Sequence, residues 1–134
     1  MSFQWDESYA TGVNLVDQQH KKLFEMINRF YSALHEKRPQ EALQQLLAGL
    51  LDYTKYHFTT EEELMAKNSY LLSTDHINEH REFMVKAADW QKRATSGQLI
   101  ISMEVTNYLR DWLVDHISKK DKALGSYLKS KHVN

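Results

Sequence analysis

The chain has 134 residues, of which 42% are hydrophobic and 26% charged, with a formal net charge of −1. That length suits one domain with its own core (residues 1–134), and the balanced charge creates no whole-molecule attraction to nucleic acid or an anionic membrane. Cysteine is absent, which excludes disulfides, thiolate catalysis and cysteine-ligated metals. No apolar run approaches membrane length and the first residues do not read as a signal, so the expectation is a cytoplasmic monomer.

Residues 1–13 carry Trp5, Tyr9 and Gly12 without periodicity and read as an N-terminal arm laid on the core. From about Asp17 to Glu36 the spacing predicts an amphipathic helix with the stripe Val16, His20, Leu23, Ile27, Phe30 and Leu34. Pro39, the only proline, precedes a second helix, expected over about 40–67. Its stripe reads Leu43, Leu47, Leu50, Thr54, His57, Glu61 and Leu64. Gly49 within it lowers helix propensity, which a close helix contact would explain. The loop "NSYLLSTD" offers Ser73, Thr74 and Asp75 as N-caps for a third helix over about 74–95. That helix carries His76, His80, Phe83, Ala87, Trp90 and Ala94 on one face. Ser96 and Gly97 end it. A fourth helix over about 98–119 shows Ile101, Val105, Tyr108, Trp112 and His116. Residues 120–134 form a C-terminal segment whose lysines, with Lys119 (Lys120, Lys122, Lys129, Lys131), read as a solvated face and a frayed tail. No stretch alternates with period two for long enough to form a sheet. Four helices of about 20 residues joined by short loops predict an all-α fold, an up-down-up-down antiparallel four-helix bundle with an N-terminal arm.

Five of the seven histidines fall on the core-facing stripes; His35 and His132 read as surface residues. His20 lies near the start of the first helix and His57 and Glu61 near the end of the second. His76 and His80 begin the third, and His116 nears the end of the fourth. In this topology all of these lie at one end of the bundle. Each buried neutral imidazole needs partners for a donor and an acceptor, at a cost of about 1–3 kcal/mol per unsatisfied group. A metal ion takes up several imidazole lone pairs at once, and imidazole suits zinc, copper, iron and nickel. The i, i+4 pairs His57/Glu61 and His76/His80 each aim two ligands from one helix face. A second carboxylate near His116 would favour two metals. Asp115 points elsewhere, and Asp121 lies about 140° from His116 on an ideal helix. It reaches the site only if the helix bulges, as helices often do at functional sites. Spacing therefore leaves one metal or two open.

The arm "WDESYATGVNLVDQQH", leading to His20, the motif "HFTTEEELM" with His57 and Glu61, "HINEH" with His76 and His80, and "WLVDHISKKD" with His116 and Asp121 together resemble the hemerythrin family in its bacterial single-domain form. The resemblance covers nearly the whole chain. One departure is that Ser69, Tyr70 and Leu71 stand where the family often has Gly-Tyr-Pro. The resemblance implies a non-haem di-iron centre with two iron ions per chain, bridged by Glu61, Asp121 and an oxo or hydroxo group. His76, His80 and His116 would hold one iron, and His20 and His57 the other. The second iron then has an open position, where the family binds O2. This implies reversible O2 binding for transport, storage or delivery without enzymatic turnover. The alternative is O2 or nitric oxide sensing, or peroxidase or nitric oxide reductase activity, at the same centre. The sequence contains no Glu-x-x-His pair of the ferritin-like type, and five neutral ligands with two carboxylates should disfavour high-valent iron. Leu23, Phe58, Trp112 and Leu113 are placed to flank the open position as a dry O2 pocket. No protein partner can be read from the sequence.

Overall fold

In a computed structural model of the chain, which describes residues 4–97 and 103–133, the periodic segments are helical and no strand occurs among the described residues. A short 3-10 turn (Glu7–Tyr9) precedes α1 (Asn14–His35), α2 (Gln40–Lys67), α3 (Ser73–Thr95) and α4 (Met103–His116). The chain then winds through one π-helical segment (Ile117–Asp121) into α5 (Lys122–Ser130). The side chains of residues 103 and 104 lie outside the description, as do Ile101 and the expected start of the fourth helix at Gln98.

The apolar stripes meet as expected for a four-helix bundle. Leu23, Ile27 and Phe30 of α1, Leu43, Leu47 and Leu50 of α2, Phe83 and Ala87 of α3, and Leu109 and Leu113 of α4 form one buried cluster. Each fully buried Leu, Ile or Phe side chain contributes about 1.5–3 kcal/mol relative to exposure. The stripe of α4 differs from the expected one. Tyr108 is 39% exposed and Leu109, at 1%, takes the core position. Tyr108 instead lies edge-on to the half-buried Trp90, with ring centroids 4.9 Å apart, and under the Lys86 ammonium. Leu34 and Leu64 are also only partly buried.

Three further expectations are corrected. None of Ser73, Thr74 and Asp75 caps α3: the helix starts at Ser73, behind Leu72 in the cap position, with no side-chain cap bond. Gly49 does not mark a close contact, because a Cβ there would meet only the Met26 methyl at 3.9 Å. Residues 122–130 are helical, with no frayed tail there. Leu124 and Leu128 of α5 join Val13, Val16, Met65 and Tyr70 in a second buried cluster. The lysines of α5 line its outer face, and Lys122 donates to the Ser8 carbonyl at 2.8 Å.

The arm is clamped between α1 and α5. The Asp17 carboxylate accepts from the Thr11 amide and hydroxyl, each at 2.8 Å, and from the Gly12 amide at 3.2 Å. These bonds let α1 begin at Asn14, three residues earlier than the periodicity suggests. Gly125 of α5 sits against the Thr11 backbone, where a Cβ would fall 2.7 Å from Thr11 Cβ and closer still to the Thr11 carbonyl. This is the close approach that requires glycine. It seats α5, and with it Asp121, against the end of the bundle.

Candidate metal centre

One end of the bundle is lined by charged and polar groups where leucines would otherwise pack. His20 comes from α1, His57 and Glu61 from α2, His76 and His80 from α3, His116 from α4 and Asp121 from the π segment. Each is at most 1% exposed. The π segment decides whether Asp121 takes part. An α-helix would turn it away from His116, whereas i→i+5 winding brings Asp121 Oδ1 to 3.1 Å from His116 Nε2.

The imidazoles direct Nε2 inward. His20 Nε2 and His57 Nε2 are 3.0 Å apart, and so are His80 Nε2 and His116 Nε2. His76 Nε2 lies 3.0 Å from Asp121 Oδ1 and 3.4 Å from Glu61 Oε1. His20 Nε2 lies 2.8 Å from Asp121 Oδ2, and His80 Nε2 3.2 Å from Glu61 Oε1. The donors fall into two groups, each with its donor atoms within 4.8 Å of one another: Glu61, His76, His80, His116 and Asp121, and His20, His57, Glu61 and Asp121. Glu61 and Asp121 belong to both. His35 and His132 stay outside on the surface.

Hydrogen bonds on the far side of the rings fix three tautomers. His80 Nδ1 lies 2.9 Å from Glu62 Oε2, and His116 Nδ1 lies 2.8 Å from Glu79 Oε1. A carboxylate only accepts, so each Nδ1 carries the proton, and in the neutral ring the Nε2 lone pair points inward. His57 Nδ1 meets Gln19 Oε1 at 2.6 Å. The Thr60 hydroxyl donates to the Tyr56 carbonyl and accepts from Gln19 Nε2 at 3.2 Å. That orients the amide so that its oxygen faces His57, again leaving the Nε2 lone pair inward.

The same residues control charge. Burial and the nearby Asp121 both oppose ionisation of Glu61. His57, His116 and His76 outweigh them and hold its pKa below the ordinary carboxylate value. Burial likewise opposes ionisation of Asp121, and His116, His20 and His57 pull its pKa well below the usual range. Burial lowers the pKa of His76 and of His116, but the two carboxylates reverse this and leave both raised, His116 strongly and with help from Glu79. Glu79 is itself held low by its bond to His116.

The donor set fits a metal. Both oxygens of Glu61, both nitrogens of His76 and Oδ1 of Asp121 are buried without a hydrogen-bond partner, a concentration of unmet polar atoms that a cation would satisfy. Two ligands at about 2.1 Å from one ion, at right angles, stand about 3.0 Å apart, the spacing of both Nε2 pairs. Neutral imidazole with carboxylate suits borderline divalent metals and excludes none of iron, zinc, copper or nickel by type.

The expected pocket residues divide. Phe58 stacks on His80 (centroids 3.8 Å, interplanar angle 6°) and Trp112 stacks on His116 (4.7 Å, 11°), which places both rings flat against the three-imidazole group. Leu23 and Leu113 are fully buried in the main core. Glu62 and Glu79 do not stand out in the sequence, and Gln19 stands there only as part of the arm that leads to His20. The available signal was position: Glu62 follows Glu61, Glu79 lies one residue before His80 and three after His76, and Gln19 precedes His20.

The signature of the "Hemerythrin HHE cation binding domain" matches residues 11–128. The chain belongs to the hemerythrin family. A bacteriohemerythrin of Methylococcus capsulatus is 37% identical over 120 residues, covering 90% of this chain and 91% of that relative. A hemerythrin-like protein of Naegleria gruberi is 34% identical over 119 residues, covering 89% and 87%. The crystal structure of a wild-type hemerythrin superposes with a TM-score of 0.89 at 33% identity, over 94% of this chain and 97% of the other. The buried histidine–carboxylate cluster has the donor set that a cation site of this family calls for. No helix among the described residues is long and apolar enough to cross a membrane.

Proposed function

We propose that the chain binds O2 reversibly at a pair of iron ions, for transport, storage or delivery. His76, His80 and His116 hold one ion, His20 and His57 the other, and Glu61 and Asp121 reach both. The observation that carries this reading is the inequality of the two donor groups: they share both carboxylates, but one has three imidazoles and the other two. The two-imidazole side is therefore one ligand short of its neighbour, and a small molecule has one place to bind. When bound, two iron ions supply the electrons that reversible O2 binding needs. The protein residues do the rest. The outward hydrogen bonds of His57, His80 and His116 hold lone pairs toward the centre, and the fully buried Leu23 and Leu113 are the residues expected to keep water from the open position. Phe58 and Trp112 seal the three-imidazole side by stacking.

The test is an optical cycle. Reduced, iron-loaded protein is prepared without oxygen, exposed to air and then purged, with iron counted per chain. Two irons, with visible bands that appear in air and vanish on purging, are the expected result. Bands that form once and persist, or that decay directly to the oxidised form, would replace O2 carriage with sensing or with peroxidase or nitric oxide reductase chemistry.

A further inference from the structure

The groups that grip the imidazoles from outside differ in charge between the two sides of the centre. On the three-imidazole side, His80 is held by the carboxylate of Glu62 and His116 by that of Glu79. On the two-imidazole side, His57 is held by the neutral amide of Gln19, which is 4% exposed and fixed by Thr60. One imidazole on each side, His20 here and His76 opposite, has an Nδ1 without a hydrogen-bond partner, so the contrast lies in His57 against His80 and His116. A carboxylate on the outer N–H makes the imidazole a more basic ligand and the metal a weaker Lewis acid; an amide does so far less. Glu62 and Glu79 are partly exposed, at 37% and 26% for their side chains, and Lys120 stands 3.8 Å from Glu79. Gln19 is enclosed. A carboxylate at its position would be deeply buried, so the side chain chosen there matters most.

We infer that Gln19 is the positioning residue that keeps the two-imidazole side receptive to small ligands, by holding His57 with a neutral amide while Glu62 and Glu79 hold two of the three opposite imidazoles with carboxylates. This rests on the di-iron reading above. The asymmetry in ligand number and the asymmetry in outer charge act together: the side one ligand short would also be the more Lewis acidic side, so an incoming anion would be drawn to it.

The experiment uses iron-loaded full-length protein and three variants of nearly equal volume: Gln19→Glu, Glu62→Gln and Glu79→Gln. Iron per chain is measured first. If the wild type does not hold two irons, the proposed function fails and the inference falls with it. With two irons in the wild type, the reduction potential of each variant and the azide affinity of its oxidised form are measured. Gln19→Glu should lower the potential and weaken azide binding about tenfold. Glu62→Gln and Glu79→Gln should raise the potential without weakening azide binding. Shifts of the same sign in all three, or none in variants that hold two irons, would overturn the inference and leave the di-iron reading standing. Loss of iron from both Gln variants, with Gln19→Glu unchanged in potential and azide affinity, would also overturn it, because the outer groups would then serve only to retain metal.

Discussion

His116 Nε2 and Asp121 Oδ1 lie 3.1 Å apart although five residues separate them in sequence. The intervening backbone makes this possible by winding as a π-helix from Ile117 to Asp121. In an α-helix five residues amount to about 500°, which would turn Asp121 roughly 140° away from the site.

That relationship predicts an asymmetry between deletion and insertion. Removing Lys119, an exposed residue, leaves four residues of travel, and an ordinary α-turn then returns the carboxylate to within about 40° of His116. Inserting an alanine after Ser118 turns it away. The deletion should retain two metals per chain and the insertion should lose at least one, as counted by metal analysis of samples with matched helical circular dichroism.

The sharing of Glu61 between both donor groups separates it from His57. Glu61→Ala should lose both irons. His57→Ala should lose the iron on the two-imidazole side first and so give substoichiometric metal. Helical circular dichroism should be largely preserved in both, because the apolar cluster of the bundle does not include either residue. Two irons retained in either variant would refute the ligand assignment.

The glycines supply a packing test. Gly125→Ala forces a Cβ into the Thr11 backbone and should destabilise the protein by about 1–3 kcal/mol, with a parallel loss of metal affinity because Asp121 stands one turn away. Gly49→Ala meets only a flexible methyl and should stabilise α2 by up to about 1 kcal/mol. Urea unfolding of the two metal-free variants reads both signs.

Metal-free and metal-loaded protein should respond to pH in opposite directions. In the metal-free fold His76 and His116 have pKa values raised above the ordinary 6.5. Their stabilising effect is complete below that value and is lost as pH rises through the raised values. Glu61 and Asp121 have lowered pKa values, so their contribution is present above the ordinary 4.5 and 3.8 and is lost as pH falls through the lowered ones. Metal-free Tm should therefore fall from pH 6.5 upward. Metal affinity should rise over the same range, since the ion must displace the imidazole protons. A metal-free Tm that climbs between pH 6.5 and 9 would contradict this electrostatic account.

The parts of the site that were legible in the sequence were those written in helical periodicity. His20, His57, Glu61, His76, His80 and His116 repeat at three- and four-residue spacings, and the bundle topology sets their common height. Asp121 was only conditional, because a π segment has no sequence period of its own. The outer partners were hidden because Glu62 and Glu79 sit beside inward-facing residues and look like ordinary solvated charges. The helix α5 was missed because Leu124 and Leu128 make a stripe of only two positions among lysines. Tyr108 misled because an aromatic at the right spacing can pack on a neighbour's edge, here Trp90, and remain outside the core.

The most direct test of the central claim is anomalous diffraction at the iron edge from iron-loaded, oxidised crystals soaked in azide. The account predicts two iron peaks per chain, both bordered by Glu61 and Asp121, with azide on the iron held by His20 and His57. A single peak, or azide on the iron held by His76, His80 and His116, would contradict it.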